Sequence, residues 1–310
     1  MAMDMTVAIC TRNRAALLDR ALASIAAMEV PGDIAWELIV VDNNSSDATA
    51  KTIEKYRGTL PIRAEFEALA GLSNARNRAV GAAKGAYILW TDDDVVVDRG
   101  WLSAYRDAFR RWPQAAIFGG KVLPQLDEPV PKWLAACFPL VRDAFAYRDF
   151  GAEPLPLSIA EWVLPYGANY ALRMAEQQAH LYDPTLGAAP GRARLGEEME
   201  VIRTLLRAGK AGYWVPGAIV HHCIPRERQT LRQIGRFYEA AGETDAFRAR
   251  AAEIKEPQPA AAELLRRTLR RAWQYRLHRL ISRPEIWIRA YRQYRTDWGA
   301  LRYRLRHVMR

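Results

Sequence analysis

The chain has 310 residues, of which 50% are hydrophobic and 26% are charged, a balance typical of a globular protein with a sizeable core. Its three cysteines include no CxxC pair, which argues against a disulfide framework or a cysteine-rich zinc site and favours a reducing compartment. The net charge of +10 is concentrated at the end of the chain, because residues 260–310 contain 14 arginines and three acidic residues. The preceding part is nearly neutral.

Hydropathy argues against an integral membrane protein. No segment approaches the roughly 20 apolar residues that a membrane-spanning helix needs, and Met1–Cys10 is too short for a secretion signal. We therefore expect a cytoplasmic protein, either free or peripheral on the inner face of the cell membrane.

The first hundred residues alternate between apolar runs and segments with helical spacing. We predict strands at four apolar runs: Thr6–Cys10, Glu37–Val41, Arg63–Glu67 and Ala86–Trp90. Helices are predicted between them: at Leu17–Ile25, from the serines of the turn at 43–47 through Tyr56, and at Asn74–Lys84 with Ser73 as its cap. This order predicts an α/β fold, a Rossmann-like and mainly parallel sheet flanked by helices.

The rest of the chain is less regular. The segment Ile117–Pro165 is rich in prolines and aromatic residues, which predicts irregular connections and edge structure. Beyond it we predict a helix at Glu197–Ala208 and strand-like runs at Tyr213–Val215 and Ala218–His221.

A division of the chain follows from these patterns. Residues 1–230 form one predicted domain, with a nucleotide-binding half at 1–118 and an acceptor half at 119–230. The region 231–310 is predicted to be a basic, aromatic-rich helical appendage, interrupted by a linker at Glu256–Pro259.

Three consecutive carboxylates, Asp92–Asp94, follow the fourth predicted strand. Burying such a cluster is costly unless a cation or hydrogen-bond donors neutralise it, and Mg²⁺ or Mn²⁺ readily shares carboxylates with substrate phosphates. Ligands of parallel sheets bind at the carboxyl ends of strands, so we expect the triplet to lie near Thr11 and Asp42. The alternative is a solvated acidic turn.

Other candidate residues each have an ordinary structural explanation as well. Asp42 is suited to bind a base or ribose hydroxyl, but an aspartate there can also stabilise a turn. Arg76 and Arg78 lie on different faces of a helix, so one can face a diphosphate while the other is solvated.

Two further candidates lie in the second half of the chain. Glu197 and Glu198 begin a helix, where acidic residues are favoured by the helix dipole and where one of them could serve as a general base. Of His221 and His222, adjacent on a strand, at most one easily reaches a site.

Together these motifs resemble the family 2 glycosyltransferases, which have the GT-A fold. The resemblance covers roughly Thr6 to Gly242 and is carried by five ordered segments: Val7–Asn13, Glu37–Asp47, Gly71–Gly85, Trp90–Asp94, and Gly196–Glu200 with His222 downstream. It implies inverting transfer of a sugar from a nucleotide-sugar donor to a glycan or lipid-linked acceptor.

The resemblance also implies roles on the donor side. Thr11 and Arg12 would line the nucleotide pocket, Asp42 would contact the base or ribose, and Arg76 would lie near the nucleotide. Asp92 and Asp93 belong to the segment that matches the family's DXD element, which contacts ribose and metal.

The metal and the base are implied in the same way. Asp94 or Asp93 would hold a Mn²⁺ or Mg²⁺ ion, which His222 would approach. Glu198 occupies the position of the family's catalytic base.

This sequence departs from the family pattern at three places. The family usually has aspartate at the position of Glu198, so Glu197 could serve instead. A tyrosine common at the position of Arg12 is absent. Processive synthases carry Gln-x-x-Arg-Trp, whereas Arg232 is followed here by Gln233, which favours transfer of a single sugar.

Two other function classes remain open from the sequence. A sugar nucleotidyltransferase also places metal-binding carboxylates near phosphates, although it usually has a glycine-rich basic loop after its first strand. A non-catalytic nucleotide-sugar binder would bind a donor without turnover.

The basic tail predicts a partner of its own. Residues 260–310 interleave arginines with tryptophans and tyrosines, which suits an anionic membrane surface. The alternatives are a solvated helical appendage and one packed on the catalytic domain. No base-reading motif supports binding of nucleic acid.

Overall fold

The computed structural model of the protein describes residues 3–250 and 261–308, so the linker predicted at Glu256–Pro259 lies outside the described residues. The strands are β1 (Met5–Thr11), β2 (Trp36–Asp42), β3 (Ile62–Phe66), β4 (Tyr87–Asp92), β5 (Val95–Val97), β6 (Ile117–Leu126), β7 (Asn169–Arg173), β8 (Ala188–Ala189), β9 (Arg192–Ala193) and β10 (Gly212–Ile224). The α-helices are α1 (Ala15–Ala26), α2 (Thr49–Lys55), α3 (Leu72–Ala82), α4 (Trp101–Arg111), α5 (Lys132–Val141), α6 (Met174–Ala179), α7 (Glu197–Arg207), α8 (Leu231–Arg250), α9 (Ala261–Ile281) and α10 (Pro284–Val308).

The four strands predicted in the first hundred residues form one half of an eight-stranded sheet. Its order is β3-β2-β1-β4-β7-β6-β10-β5, and the first four strands run parallel to one another. Val7 and Ala8 of β1 and Val40 and Val41 of β2 are fully buried. Adjacent residues of a strand point to opposite faces, so both faces are covered, as expected of strands with helices on both sides. In the register, Thr11 lies opposite Asp42 and Cys10 opposite Asp92, so these strands end at the same edge.

The other half of the sheet is mixed in direction. β7 runs antiparallel to β4 and to β6, and β5 runs antiparallel to β10. The two strand-like runs predicted after residue 212 form a single strand, β10.

The prediction of irregular edge structure across Ile117–Pro165 is wrong at its start. β6 is an inner strand between β7 and β10, and residues 132–141 form α5. The prediction gave more weight to the prolines than to the short apolar run that begins at Ile117. In the structure, Ile117, Phe118 and Val122 are fully buried and hold the strand in place.

Two predicted helix caps are also wrong. The amide of Ser46 and the side chain of Ser45 bind Asn13. The N-cap of α2 is Ala48, and Asp47 before it accepts a hydrogen bond from the Thr49 amide at 3.0 Å. Ser73 lies inside α3 and donates to the Leu186 carbonyl at 2.9 Å. In both cases the serines make hydrogen bonds to residues distant in the sequence instead of capping the helix.

Asn169, at the start of β7, joins several elements of the sheet and is fully buried. Its Oδ1 accepts hydrogen bonds from Trp101 Nε1 and the Tyr105 hydroxyl, both at 2.8 Å. Its amide donates to the carbonyls of Lys121 and Ala218, also at 2.8 Å. One side chain thus satisfies polar groups from α4, β6 and β10.

The chain divides into two compact units. The first, which we call the sheet unit, comprises Met1–Gln125, Ala146–Arg192 and Gly196–Cys223. The second, the helical unit, comprises Leu126–Phe145, Ala193–Leu195 and Ile224–Arg310. It therefore includes the segment around α5 as well as the C-terminal helices.

Helix α10 packs against α8 at close range within the helical unit. A Cβ on Gly242 would lie 1.9 Å from the Thr296 carbonyl oxygen, and one on Gly299 would lie 2.0 Å from that of Glu239. Both positions therefore require glycine. Helix α9 is fastened to α10 by Arg267 and Arg271, which donate to the buried Asp297.

We expect Asn169→Ala to lower the free energy of unfolding by about 3 kcal/mol, because it leaves several buried donors and acceptors without partners. Urea unfolding followed by circular dichroism measures this loss. Replacement of the exposed Gln125 by alanine is the control and should change stability little. A loss as small as that of the control would show that Asn169 does not join these elements.

Candidate active site

The acidic triplet lies at the carboxyl end of β4, and its second and third members point into the protein. Asp93 and Asp94 are 3% and 4% exposed. Thr11 donates to Asp93 Oδ2 at 2.7 Å, and Arg14 Nη1 donates to Asp93 Oδ1 at 2.8 Å and to Asp94 Oδ2 at 3.2 Å. The alternative of a solvated acidic turn therefore does not hold for these two residues.

Burial raises the pKa of Asp93 to about 6, and the neighbouring Asp94 charge adds to this, although Arg14 opposes both effects. Two adjacent buried carboxylates thus face the guanidinium of Arg14. Such a cluster favours a further cation.

Arg14 is a contact of the triplet that the sequence analysis missed. It precedes α1, and Asn13 before it has a φ of 53°, a conformation that asparagine adopts more easily than most residues. This turn directs Arg14 back to the triplet. No sequence motif marks it, because the contact depends on how the turn after β1 folds. Arg12 lies in the same turn and is half-buried.

His222 is the histidine that reaches the triplet. Its Nε2 lies 3.3 Å from Asp94 Oδ1, and its strand pairs with β5, where His222 lies opposite Val95. His221, one residue earlier on the same strand, points to the other face.

The donor set of this corner suits a divalent cation. Asp94 Oδ1 and His222 Nε2 lie within ion-pairing distance of each other, and carboxylate oxygens and imidazole nitrogens are both ligands of divalent cations. No group of three or more histidine, cysteine or acidic residues arranged to hold a metal occurs in 3–250 or 261–308. Further ligands would therefore have to come from a substrate diphosphate and water, as is usual for Mg²⁺.

Arg76 connects the triplet to the start of α7. It is 3% exposed, its Nη1 donates to Glu197 Oε1 at 2.9 Å, and its Nη2 lies 4.0 Å from Asp92 Oδ1. The guanidinium also lies 5.4–5.9 Å from the ring centres of Trp90, Tyr170 and Tyr182. Arg78 instead pairs with Glu65 at the surface, as its position on α3 predicts.

The two glutamates of α7 differ in environment. The Glu197 side chain is 5% exposed and binds Arg76, whereas that of Glu198 is 13% exposed and lies 3.9 Å from Arg76. Burial raises the pKa of Glu197 to about 7, the Glu198 charge contributes to the rise, and Arg76 opposes it. The backbone at Gly167 lies close to Arg76 and Glu198. A Cβ at this position would lie 2.9 Å from Arg76 Nη2 and 3.2 Å from Glu198 Oε1.

Asp42 lies at the end of β2 and is half-buried. Its Oδ1 accepts a hydrogen bond from the Ser45 amide at 2.9 Å, so it shapes the turn as the structural alternative expected, while its second oxygen is not used in that bond. Asn43, next to it, is buried and binds the carbonyls of Glu67 and Leu69 and the amide of Gly71. It holds the loop that precedes α3.

The eight-stranded sheet flanked by helices has the architecture of the GT-A fold. Residues 6–148 match the model of the glycosyl transferase family 2. This segment belongs to that family, and it contains four of the five motif segments, over which the resemblance is confirmed.

Two relatives are similar in sequence. The succinoglycan biosynthesis protein ExoM of Rhizobium meliloti (strain 1021) is 25% identical over 240 residues, which cover 77% of this chain and 72% of ExoM. The poly(ribitol-phosphate) beta-N-acetylglucosaminyltransferase TarS of Staphylococcus aureus is 30% identical over 102 residues, covering 32% of this chain and 18% of TarS.

Solved structures confirm the GT-A fold. The mannosyltransferase PcManGT from Pyrobaculum calidifontis, in complex with GDP-Man and Mn²⁺, superimposes with a TM-score of 0.57 at 16% identity and covers 99% of this chain and 76% of that one. S. aureus TarS 1-349 in complex with UDP-GlcNAc gives a TM-score of 0.53 at 15% identity and covers 99% and 92%.

We expect Arg76→Met to destabilise the protein by about 3 kcal/mol at mildly alkaline pH, because it leaves a buried carboxylate uncompensated. The raised pKa of Glu197 means that the folded state binds more protons than the unfolded state between about pH 4.5 and 7, so stability falls as pH rises through this window. Without Arg76, the folded pKa rises further and the fall extends to higher pH.

Urea unfolding of both proteins at pH 6 and pH 8.5 tests this coupling. The difference between them should be smaller at the lower pH, where Glu197 is protonated in the variant. The same substitution at the surface, Arg78→Met, is the matched control. A difference that does not change with pH would contradict the coupling between Arg76 and Glu197.

Proposed function

We propose that the protein transfers a single sugar from a nucleotide-diphosphate sugar to an acceptor hydroxyl with inversion at the anomeric carbon. The observation that carries this proposal is the bridge made by Arg76, which brings the acidic triplet and the start of α7 together. This bridge supports the proposal that a metal-binding corner and a carboxylate acting as a base belong to one site.

The donor side of the site is proposed from the strand ends. Thr11, Arg12 and Asp42 would bind the nucleotide at the carboxyl ends of β1 and β2, and Asp92 and Asp93 would contact ribose and diphosphate. Arg76 adds a fixed positive charge beside them. GDP-Man and UDP-GlcNAc bind to the similar structures, which supports a donor of this class.

Asp94 and His222 would hold the divalent cation, Mn²⁺ or Mg²⁺. A cation there would offset the charge that grows on the leaving diphosphate. The presence of Mn²⁺ with the structurally similar mannosyltransferase supports this assignment.

Glu198 is the proposed general base. Glu197 is already engaged by Arg76, whereas Glu198 keeps more exposure. Glu198 would accept the proton of the acceptor hydroxyl. The hydroxyl oxygen would attack the anomeric carbon at the same time, and the bond from that carbon to the diphosphate would break. Such assistance is typically worth about 10²–10⁴-fold in rate.

The acceptor is proposed to be a glycan or a lipid-linked intermediate of the cell envelope, reached from the cytoplasmic side. ExoM is named as a succinoglycan biosynthesis protein and TarS as a poly(ribitol-phosphate) beta-N-acetylglucosaminyltransferase, which supports an acceptor of this kind. No helix within residues 3–250 and 261–308 has the length and apolar character to cross a membrane. Transfer of one sugar at a time agrees with the incomplete Gln-x-x-Arg-Trp motif, in which Gln229 binds the carbonyls of Asp127 and Ile224.

Asp94→Ala should abolish metal-dependent release of nucleoside diphosphate, because it removes a ligand of the cation. The assay follows UDP or GDP released from a panel of UDP- and GDP-sugars with Mn²⁺, and a lipid extract supplies the acceptor. Asp107→Ala, at an exposed acid, is the control. Full activity of the Asp94 variant, or of the native protein in excess chelator, would refute the metal role.

Glu198→Gln should bind nucleotide normally but turn over about 10²–10⁴-fold more slowly. Binding is measured as a thermal shift with UDP or GDP and Mn²⁺, since a ligand of the native state raises its stability. Glu200→Gln, in the same turn of α7, is the matched control.

The same assays separate the alternatives. A loss in Glu197→Gln, with Glu198→Gln unaffected, would move the base to Glu197. Release of pyrophosphate instead of a nucleoside diphosphate would indicate a nucleotidyltransferase, and binding without turnover of any donor would indicate a non-catalytic binder.

A further inference from the structure

One face of α9 is exposed and apolar along its whole length. Six large apolar side chains share it, with exposed fractions between 37% and 85%: Leu265, Leu269, Trp273, Leu277, Leu280 and Ile281. The first four are spaced by four residues and Leu280 follows after three, so they form one stripe on the helix. A contiguous apolar surface of this kind on a folded protein usually marks an interaction site.

The opposite face of α9 is already committed to the helical unit. Leu264 and Thr268 are buried, and Arg267 and Arg271 bind Asp297 of α10. The stripe is therefore held outward by a helix whose other side is anchored, and it does not need to rearrange to meet a partner.

Arginines lie among the apolar residues of the exposed face. Arg266, Arg270, Arg276 and Arg279 are exposed, and Glu263 in the first turn is the single acidic residue in the sequence of α9. Arginine can lay its apolar stem along a hydrophobic surface while the guanidinium remains at the polar boundary. A helix with this pattern lies in the plane of a membrane interface, and its six arginines argue against insertion across the bilayer.

We propose that the exposed face of α9 docks on an anionic lipid bilayer, with its leucines and Trp273 among the acyl chains and its arginines at the lipid headgroups. A bilayer satisfies both features of the face at once. A second copy of the chain would oppose the same positive charges, and a nucleic acid would leave the apolar stripe in water.

The proposal goes beyond sugar transfer and does not depend on it, because binding to lipid is measured without a donor. The composition of residues 260–310 predicted contact with a membrane surface, and the proposal assigns this contact to one face of α9.

The test is cosedimentation of the full chain with vesicles of phosphatidylcholine alone and with added phosphatidylglycerol, at low and high salt. We expect binding to the anionic vesicles that weakens with salt. Leu269→Ser combined with Trp273→Ser should reduce the affinity by about tenfold or more, since these side chains no longer leave water on binding. Arg266→Gln combined with Arg270→Gln should weaken binding at low salt.

Two control variants make the same kinds of substitution in the sheet unit. Leu181→Ser replaces an exposed leucine of the sheet unit, and Arg20→Gln with Arg57→Gln removes two exposed charges there; neither should affect binding. All altered positions on α9 are exposed, so thermal unfolding should confirm that the variants fold.

Three outcomes would overturn the proposal. The first is no binding to anionic vesicles at low salt, and the second is binding that the Leu269/Trp273 variant retains in full. The third is a dimer, detected by light scattering without lipid, that the same variant dissociates, since the face would then join two copies of the chain.

Discussion

The candidate site depends on one buried ionic contact, that of Arg76 with Glu197. Asp92–Asp94 and the two glutamates of α7 place five carboxylates in one region, and burial of so much negative charge without compensation is unfavourable. Arg76 offsets it from one side and Arg14 from the other. The aromatic rings around Arg76 fix its guanidinium, so the same contact that stabilises the fold also sets where the acidic groups lie.

Where catalysis is proposed, the arginines do not contact all the acidic side chains equally. The two acids of each neighbouring pair differ in their contacts. Glu197 is engaged by Arg76, while Glu198 in the next position keeps access to solvent. Asp93 is bonded to Thr11 and Arg14, while Asp94 also faces His222. The two acids of each pair therefore differ in their contacts, although Asp94 also binds Arg14 and Glu198 also lies near Arg76.

The helical unit contains the most basic part of the chain, and the packing of its helices determines where these positive charges lie. Glycines at 242 and 299 let α8 and α10 approach closely, and Asp297 collects two arginines of α9. The remaining arginines of α9 are thereby turned outward together with its leucines. Part of the excess positive charge of the C-terminal region therefore lies on one exposed face of α9.

The sequence by itself determined the order of strands and helices from β1 to β4 and, through its motifs, the family, whereas β5 was not predicted. This was possible because apolar period and position after a strand are local properties, which place Thr11, Asp42 and the triplet at one edge of a parallel sheet. Tertiary structure alone decided that β6 lies inside the sheet, that Arg14 contacts the triplet, and that Asn169 joins three elements. Those contacts span from 48 to 80 residues of chain, and no local pattern encodes a partner at that distance.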